Sequence, residues 1–298
     1  GSMARRVCSA ACGRIAWTVV APKVVNADAK PLLLIHGFAC GKRDWGALPR
    51  MLAAKSHRKV IVMDNRGIGD SEATIGPYSI QQMAADALDV MDAAGAPVCG
   101  VLGISMGGLI AQSLVLSHPE RLSALILGCT SHGGREAVPN PPEFVSACAA
   151  WASEPSPNES PMVDAFLRYT LPMPDAPHGD TSPQSTDPAF FSKLKASFVE
   201  TRRTSVGLQG QVGAMMRFNS TARLHEISCL TIVITGDRDG AVPMQNSQSL
   251  ARRIPGAELA IVEGAGHFWW ARRTVDVAQL LTEALLLSDE QWKARSEA

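Results

Sequence analysis

The chain has 298 residues, enough for one large domain or two small ones with a substantial core. Lys plus Arg and Asp plus Glu both number 28, so no net field recruits nucleic acid or an acidic lipid surface. A composition of 46% hydrophobic and 19% charged residues is that of a globular enzyme, and no stretch reaches the roughly 18–20 apolar residues of a membrane span.

The leading Gly1-Ser2-Met3 reads as a remnant left by cloning. The basic stretch that follows has no sustained apolar run, which argues against a signal peptide and leads to the expectation of a cytoplasmic protein. Seven cysteines are scattered without a CxxC pair. Cys8 and Cys12 lack a second pair for zinc, and Cys99, Cys129 and Cys229 sit in apolar runs as small core residues. No metal and no cofactor is expected.

In chain order, an antiparallel edge pair is predicted at 5–9 and 14–20. Strands follow at 32–36, 59–64, 97–102, 124–129, 230–235 and 258–262. Several are near-continuous in Leu, Ile and Val, the pattern of parallel strands covered on both faces. Helices fall between them. One is opened by a Ser79/Gln82 capping box, carries the stripe Ile80, Met83, Ala84, Ala87, Leu88 and Met91, and ends at Gly95. Others are predicted at 106–117, 244–253 and 274–287. This alternation implies a doubly wound, mostly parallel α/β sheet.

The rhythm breaks between His132 and Glu226, where eleven of the nineteen prolines lie between Pro139 and Pro188. Helix-sized pieces at 143–151, 163–169, 188–201 and 205–218 carry Trp151, Phe166, Tyr169, Phe190, Phe191, Phe198, Met215, Met216 and Phe218. Such residues need burial, so the segment is expected to be an inserted helical cap over 132–226, between core parts 1–131 and 227–298. Trp151, Phe166, Tyr169, Met215, Met216 and Phe218 are the candidates for an apolar pocket. Alternatively they only fasten the cap to the sheet.

Gly103-Ile104-Ser105-Met106-Gly107 matches G-x-S-x-G between a strand and a helix. In such an elbow the serine sits on a strained turn that tolerates no bulk two residues to either side. A serine hydroxyl needs a base. His267, in Glu263-Gly264-Ala265-Gly266-His267, follows the last predicted strand at the carboxyl edge where such sheets place their sites. The acid that would orient its ring should follow the preceding strand. Asp237 and Asp239 compete there. Asp239 is preferred, because it lies further beyond the strand, and Asp237 is read as a loop cap. An oxyanion hole needs two amides: Met106 N–H after the serine, and Phe38 N–H from the turn His36-Gly37-Phe38. His36 itself reads as a loop brace.

The set HGF (36–38), DNRGIGDS (64–71), GISMGG (103–108), GDRDGAVP (236–243) and GAGH (264–267) resembles the α/β-hydrolase superfamily over about residues 15–287. The resemblance implies the α/β-hydrolase fold, with Asp239 at the triad acid position and Phe38 at an oxyanion position. Within the superfamily the chain looks most like capped small esterases, enol-lactonases and cofactor-free haloperoxidase-like members. Serine at 105 disfavours the aspartate-nucleophile chemistry of epoxide hydrolases and haloalkane dehalogenases. RGIGDS lacks the third glycine of a dinucleotide loop and reads as a structural turn.

The expectation is a serine esterase or lactonase for small to medium apolar acyl compounds, with Ser105, Asp239 and His267 as catalytic triad and a small-molecule substrate as partner. A cofactor-free lyase or thioesterase on the same scaffold, or a ligand-binding receptor with an idle triad, are the alternatives. Oligomeric state is not readable.

Overall fold

The computed structural model describes residues 6–10, 13–171, 188–271 and 274–296. Cys12 and part of the proline-rich stretch, 172–187, lie outside them. The strands form one eight-stranded sheet in the order β1-β2-β4-β3-β5-β6-β7-β8. β1 (Arg6–Ala10) and β2 (Gly13–Val20) are antiparallel, with Cys8 opposite Ile15, and β2 joins β4 (Val60–Met63) antiparallel, with Trp17 opposite Met63. β3 (Leu32–Ile35), β4, β5 (Cys99–Ile104), β6 (Leu122–Gly128), β7 (Leu230–Gly236) and β8 (Glu258–Val262) run parallel.

The physical cause is legible strand by strand. Every residue of β3, β4, β5 and β6 is buried, as LLLI, VIVM, CGVLGI and LSALILG require of strands with both faces covered. β8 has a neighbour on one side alone and exposes Leu259 and Ile261. Covering helices include α1 (Leu48–Ser56), α2 (Ile80–Ala93) and α3 (Met106–Ser117). The predicted strand at 97–102 starts two residues later, after Pro97, which cannot donate to the ladder, and it runs on to Ile104. At α2 the Ser79 hydroxyl accepts from Gln82 N at 3.1 Å, and that half of the capping box is the one that forms. Asp86, also on α2, is buried because it takes Arg66 in a two-pronged pair at 2.7 and 2.6 Å. That pair stiffens the 64–71 turn, where Ser71 Oγ donates to Asp64 O at 2.6 Å and accepts from Ala16 N at 2.9 Å. These contacts tie the turn to the sheet and to α2, in keeping with the structural reading that the family resemblance favoured.

Between β6 and β7 the described residues hold helices and no strand of the sheet: α4 (Pro142–Ser153), α5 (Met162–Thr170), α6 (Pro188–Val199) and α7 (Ser205–Met216). They share an aromatic nucleus. Phe166 stacks on Phe198 at 5.7 Å and leans on Trp151 at 5.2 Å, and Phe38 from the sheet edge meets Trp151 and Phe166 edge-on, both at 6.1 Å. These helices are therefore packed onto the turn that follows β3. The chain closes with α8 (Met244–Arg253) and α9 (Thr274–Ser296); α9 runs nine residues past its predicted end.

Candidate active site

Ser105 links β5 to α3 with φ 55° and ψ −121°, a conformation L-residues avoid at a cost of order 1–3 kcal/mol. Its surroundings hold it there. Its N–H donates to Gly128 O at 2.8 Å, and its carbonyl accepts from Thr130 Oγ1 at 2.7 Å and Gly108 N at 2.9 Å. The flanking glycines are required by contact: a Cβ on Gly103 would lie 2.2 Å from Gly107 O, and one on Gly107 would lie 2.1 Å from Ile35 O.

His267 sits in the loop after β8, tied to the loop after β7 by Arg238 N donating to Ala265 O at 2.9 Å. Its Nδ1 is 2.8 Å from Asp239 Oδ2. The other oxygen, Asp239 Oδ1, accepts from Ala241 N at 2.8 Å and Val242 N at 3.0 Å. The Asp239 side chain is 0% exposed and that of His267 4%, whereas Asp237 is exposed. Burial and partnership thus distinguish Asp239, the aspartate the sequence reading preferred, from Asp237. Asp239 meets His267; Asp237 forms no cap seen among the described residues.

Ser105 and His267 line one cavity of about 610 Å³, together with Gly37 and Phe38. The turn after β3 presses onto the serine. A Cβ on Gly37 would stand 2.9 Å from Ser105 Cβ and 3.4 Å from its Oγ. Among the described residues the amides of Phe38 and Met106 have no protein partner, as expected of donors left for a ligand. His36 is the brace anticipated: its Nδ1 accepts from Gly37 N at 2.8 Å and its ring packs on Trp45 at 4.3 Å.

Burial, with His267 and Arg203 adding, pulls His36 down to about 3. The unfolded chain therefore takes up a proton near 6.5 that the native state refuses. That stabilisation is complete above pH 6.5 and is lost as pH falls toward 3. Asp44, buried beside Arg203, works oppositely. Burial raises it to about 6 from 3.8, so its contribution is complete below 3.8 and lost as pH rises through 6. Between about pH 6 and 4 the two groups oppose one another, so together they should leave the wild type nearly level in urea titrations, whereas His36→Gln, left with Asp44 alone, should gain stability as pH falls through that window. Equal slopes would contradict the assignment.

The cavity wall differs in part from the sequence expectation. Phe166, Met215 and Met216 line it. Trp151 does not; it is fully buried behind Phe166, with its indole N–H donating to Pro157 O at 2.7 Å. Tyr169 packs on Phe144 at 5.6 Å, outside the lining, and Phe218 is buried with its backbone against Gly133. These three serve as fastening. The sequence reading missed Phe144, Val145, Cys148 and Ala149 on α4, Val212 on α7, and Cys40, Asn140 and Phe268. The first four recur at i, i+1, i+4 and i+5, and Val212, Met215 and Met216 at i, i+3 and i+4, so helical spacing held the signal.

Cys129 Sγ, Asp239 and His267 bring possible ligand atoms within 4.8 Å of one another. Their donors are already committed. Both Asp239 oxygens are hydrogen-bonded, and burial, with Asp239 adding, pushes the Cys129 thiol well above its usual range. The group is a hydrogen-bonded cluster, poorly suited to a cation that requires thiolate.

Comparison with known proteins agrees with this architecture. Residues 30–269 match the family model described as the alpha/beta hydrolase fold. The chain belongs to the alpha/beta hydrolase fold family. This α/β-hydrolase is 28% identical over 261 residues to a Caulobacter segnis protein named as a carbamate hydrolase, RutD, covering 84% of this chain and 86% of the relative. It is 28% identical over 258 residues to the poly(3-hydroxyalkanoate) depolymerase of Ectopseudomonas oleovorans, covering 86% and 84%. Among solved structures, the enol-lactonase from Burkholderia xenovorans LB400 superposes with a TM-score of 0.79 at 22% identity, over 94% of this chain and all of that one. The family and the names of the two sequence relatives support hydrolysis on this scaffold. No helix among the described residues is long and apolar enough to cross a membrane.

Proposed function

We propose that the protein is a serine hydrolase of carboxylic esters or lactones with small to medium apolar acyl groups, acting through an acyl-enzyme on Ser105. The observation that carries this is the 2.8 Å contact of His267 Nδ1 with a buried Asp239, on a ring that shares one cavity with the strained Ser105. Asp239 holds Nδ1 protonated, leaving Nε2 free to take the Ser105 proton. Ser105 Oγ then bonds to the substrate carbonyl carbon, and the Phe38 and Met106 amides receive the carbonyl oxygen as it becomes negative. The C–O bond to the alcohol breaks as His267 returns its proton to the leaving oxygen. Water, deprotonated by the same imidazole, attacks the acyl carbon, and the C–O bond to Ser105 breaks as His267 returns that proton to Ser105 Oγ, freeing the acid.

Segment 132–226 acts here as the cap. Its contribution is an apolar wall, from Phe144, Val145 and Cys148 on α4 to Val212, Met215 and Met216 on α7, which suits an alkyl or ring substituent. The depolymerase relative's name implies ester cleavage, and the RutD name adds carbamates as a comparison substrate. The test is a p-nitrophenyl ester series from acetate to laurate, run beside lactones, thioesters and an alkyl carbamate. The expected profile peaks at intermediate chain length, with kcat/KM rising about fourfold per added methylene below the peak. A flat series, or turnover of the carbamate alone, would overturn the reading.

A further inference from the structure

The turn that offers the Phe38 amide is held in a disfavoured shape. Gly37 O accepts from Cys40 N at 3.3 Å, closing a four-residue turn whose third residue, Ala39, has φ 61°. A turn with positive φ at that position normally places glycine there. Two side chains from the helical segment, buried and distant in sequence, hold the two peptide groups of Ala39, one on each side. Gln211 Oε1 accepts from Ala39 N at 3.0 Å, and Arg203 Nε donates to Ala39 O at 2.8 Å.

Each is itself anchored. Gln211 Nε2 donates to Arg66 O at 3.1 Å. Arg203 Nη1 donates to Phe198 O at 2.8 Å and Thr201 O at 2.7 Å, with its guanidinium 3.9 Å from the centre of the Phe198 ring. A rigid trans peptide transmits direction, because its C=O and N–H point opposite ways. Arg203 on Ala39 O therefore aims Cys40 N–H at Gly37 O, and the bond at Gly37 O in turn aims Phe38 N–H away from it.

We propose that Gln211 and Arg203 are positioning residues for the oxyanion amide: they clamp the Ala39 peptide groups so that Phe38 N–H stays directed at the reacting carbonyl oxygen. The inference rests on the serine-hydrolase reading and extends it to the helical segment. Gln211 lies on α7, next to Val212 of the cavity wall, so the helix that contacts the substrate also sets the amide that stabilises the transition state.

The test uses Gln211→Met, similar in length but without either polar contact, and Gln211→Glu, which keeps an acceptor for Ala39 N–H. Removing one oxyanion donor outright costs about 10²–10³ in kcat, so a loosened donor should cost about tenfold or more in Gln211→Met, with KM within about twofold. Inhibition by butylboronic acid, whose serine adduct is tetrahedral, should weaken by the same factor as kcat. Gln211→Glu should retain kcat within about threefold of wild type. A folded Gln211→Met with unchanged kcat and boronate inhibition overturns the proposal. So does a rise in KM alone, or a Gln211→Glu that folds yet matches a crippled Gln211→Met. Should Gln211→Met not fold, Gln211→Glu decides: kcat and boronate affinity near wild type support the clamp, and their loss with normal melting overturns it. Ser105→Ala run in parallel separates the two claims. Ester turnover by Ser105→Ala would remove the hydrolase reading itself, while an inactive Ser105→Ala beside wild-type-like Gln211 variants removes the clamp alone.

Discussion

Ser105→Ala should lower p-nitrophenyl ester turnover by about 10⁴–10⁶-fold while leaving the melting temperature near that of the wild type. In the proposed mechanism the hydroxyl oxygen is the atom that bonds to the carbonyl carbon, and alanine lacks it. Little else depends on it, because Ser105 is held through its backbone, by Gly128 O, Thr130 Oγ1 and Gly108 N. Alanine has the same Cβ, so the close approach that only glycine at 37 permits is unchanged. Residual turnover would come from binding and from the Phe38 and Met106 amides. The check is kinetic and chemical: wild type should gain one fluorophosphonate adduct by intact mass, and the variant none. Turnover within about tenfold of wild type would leave Ser105 without the assigned role.

Asp239→Asn should cost about 10⁴-fold in kcat with the fold preserved, for a reason specific to this loop. The oxygen at the Oδ1 position accepts from two backbone amides, Ala241 N and Val242 N. An asparagine must therefore keep its carbonyl there and turn its NH2 toward His267 Nδ1. A donor facing Nδ1 makes that nitrogen an acceptor and moves the ring proton to Nε2, where it blocks removal of the Ser105 proton. Asp237→Asn, at an exposed position, serves as the control and should stay within about twofold of wild type. Equal losses in both variants, or none in Asp239→Asn, would refute the assignment of the acid.

Much of the scaffold was readable from local pattern. Near-continuous apolar runs placed β3 to β8 within a few residues, and helix 106–117 was placed to the residue, because α3 begins at the serine and ends before Pro119. The G-x-S-x-G spacing is legible for a related reason: the steric demand of the elbow falls on residues two positions away in sequence. The cap side chains were harder to assign. Trp151, Phe166 and Tyr169 have the same apolar character, yet one lies behind the wall, one in it and one beside it. Composition says that such residues must be buried and is silent on the direction each helix faces.

What the sequence by itself determined is the sheet, the elbow and the candidate trio of serine, acid and histidine, since each is announced by short-range periodicity or by glycines that steric contact requires. What only the tertiary structure decided is the buried contact of Asp239 with His267, the membership of the cavity wall and the hydrogen bonds of Gln211 and Arg203 to Ala39. Those depend on contacts between residues as much as 172 positions apart. A hydrogen bond at that separation leaves no local pattern, because its partners meet only when the helical segment packs onto the turn after β3.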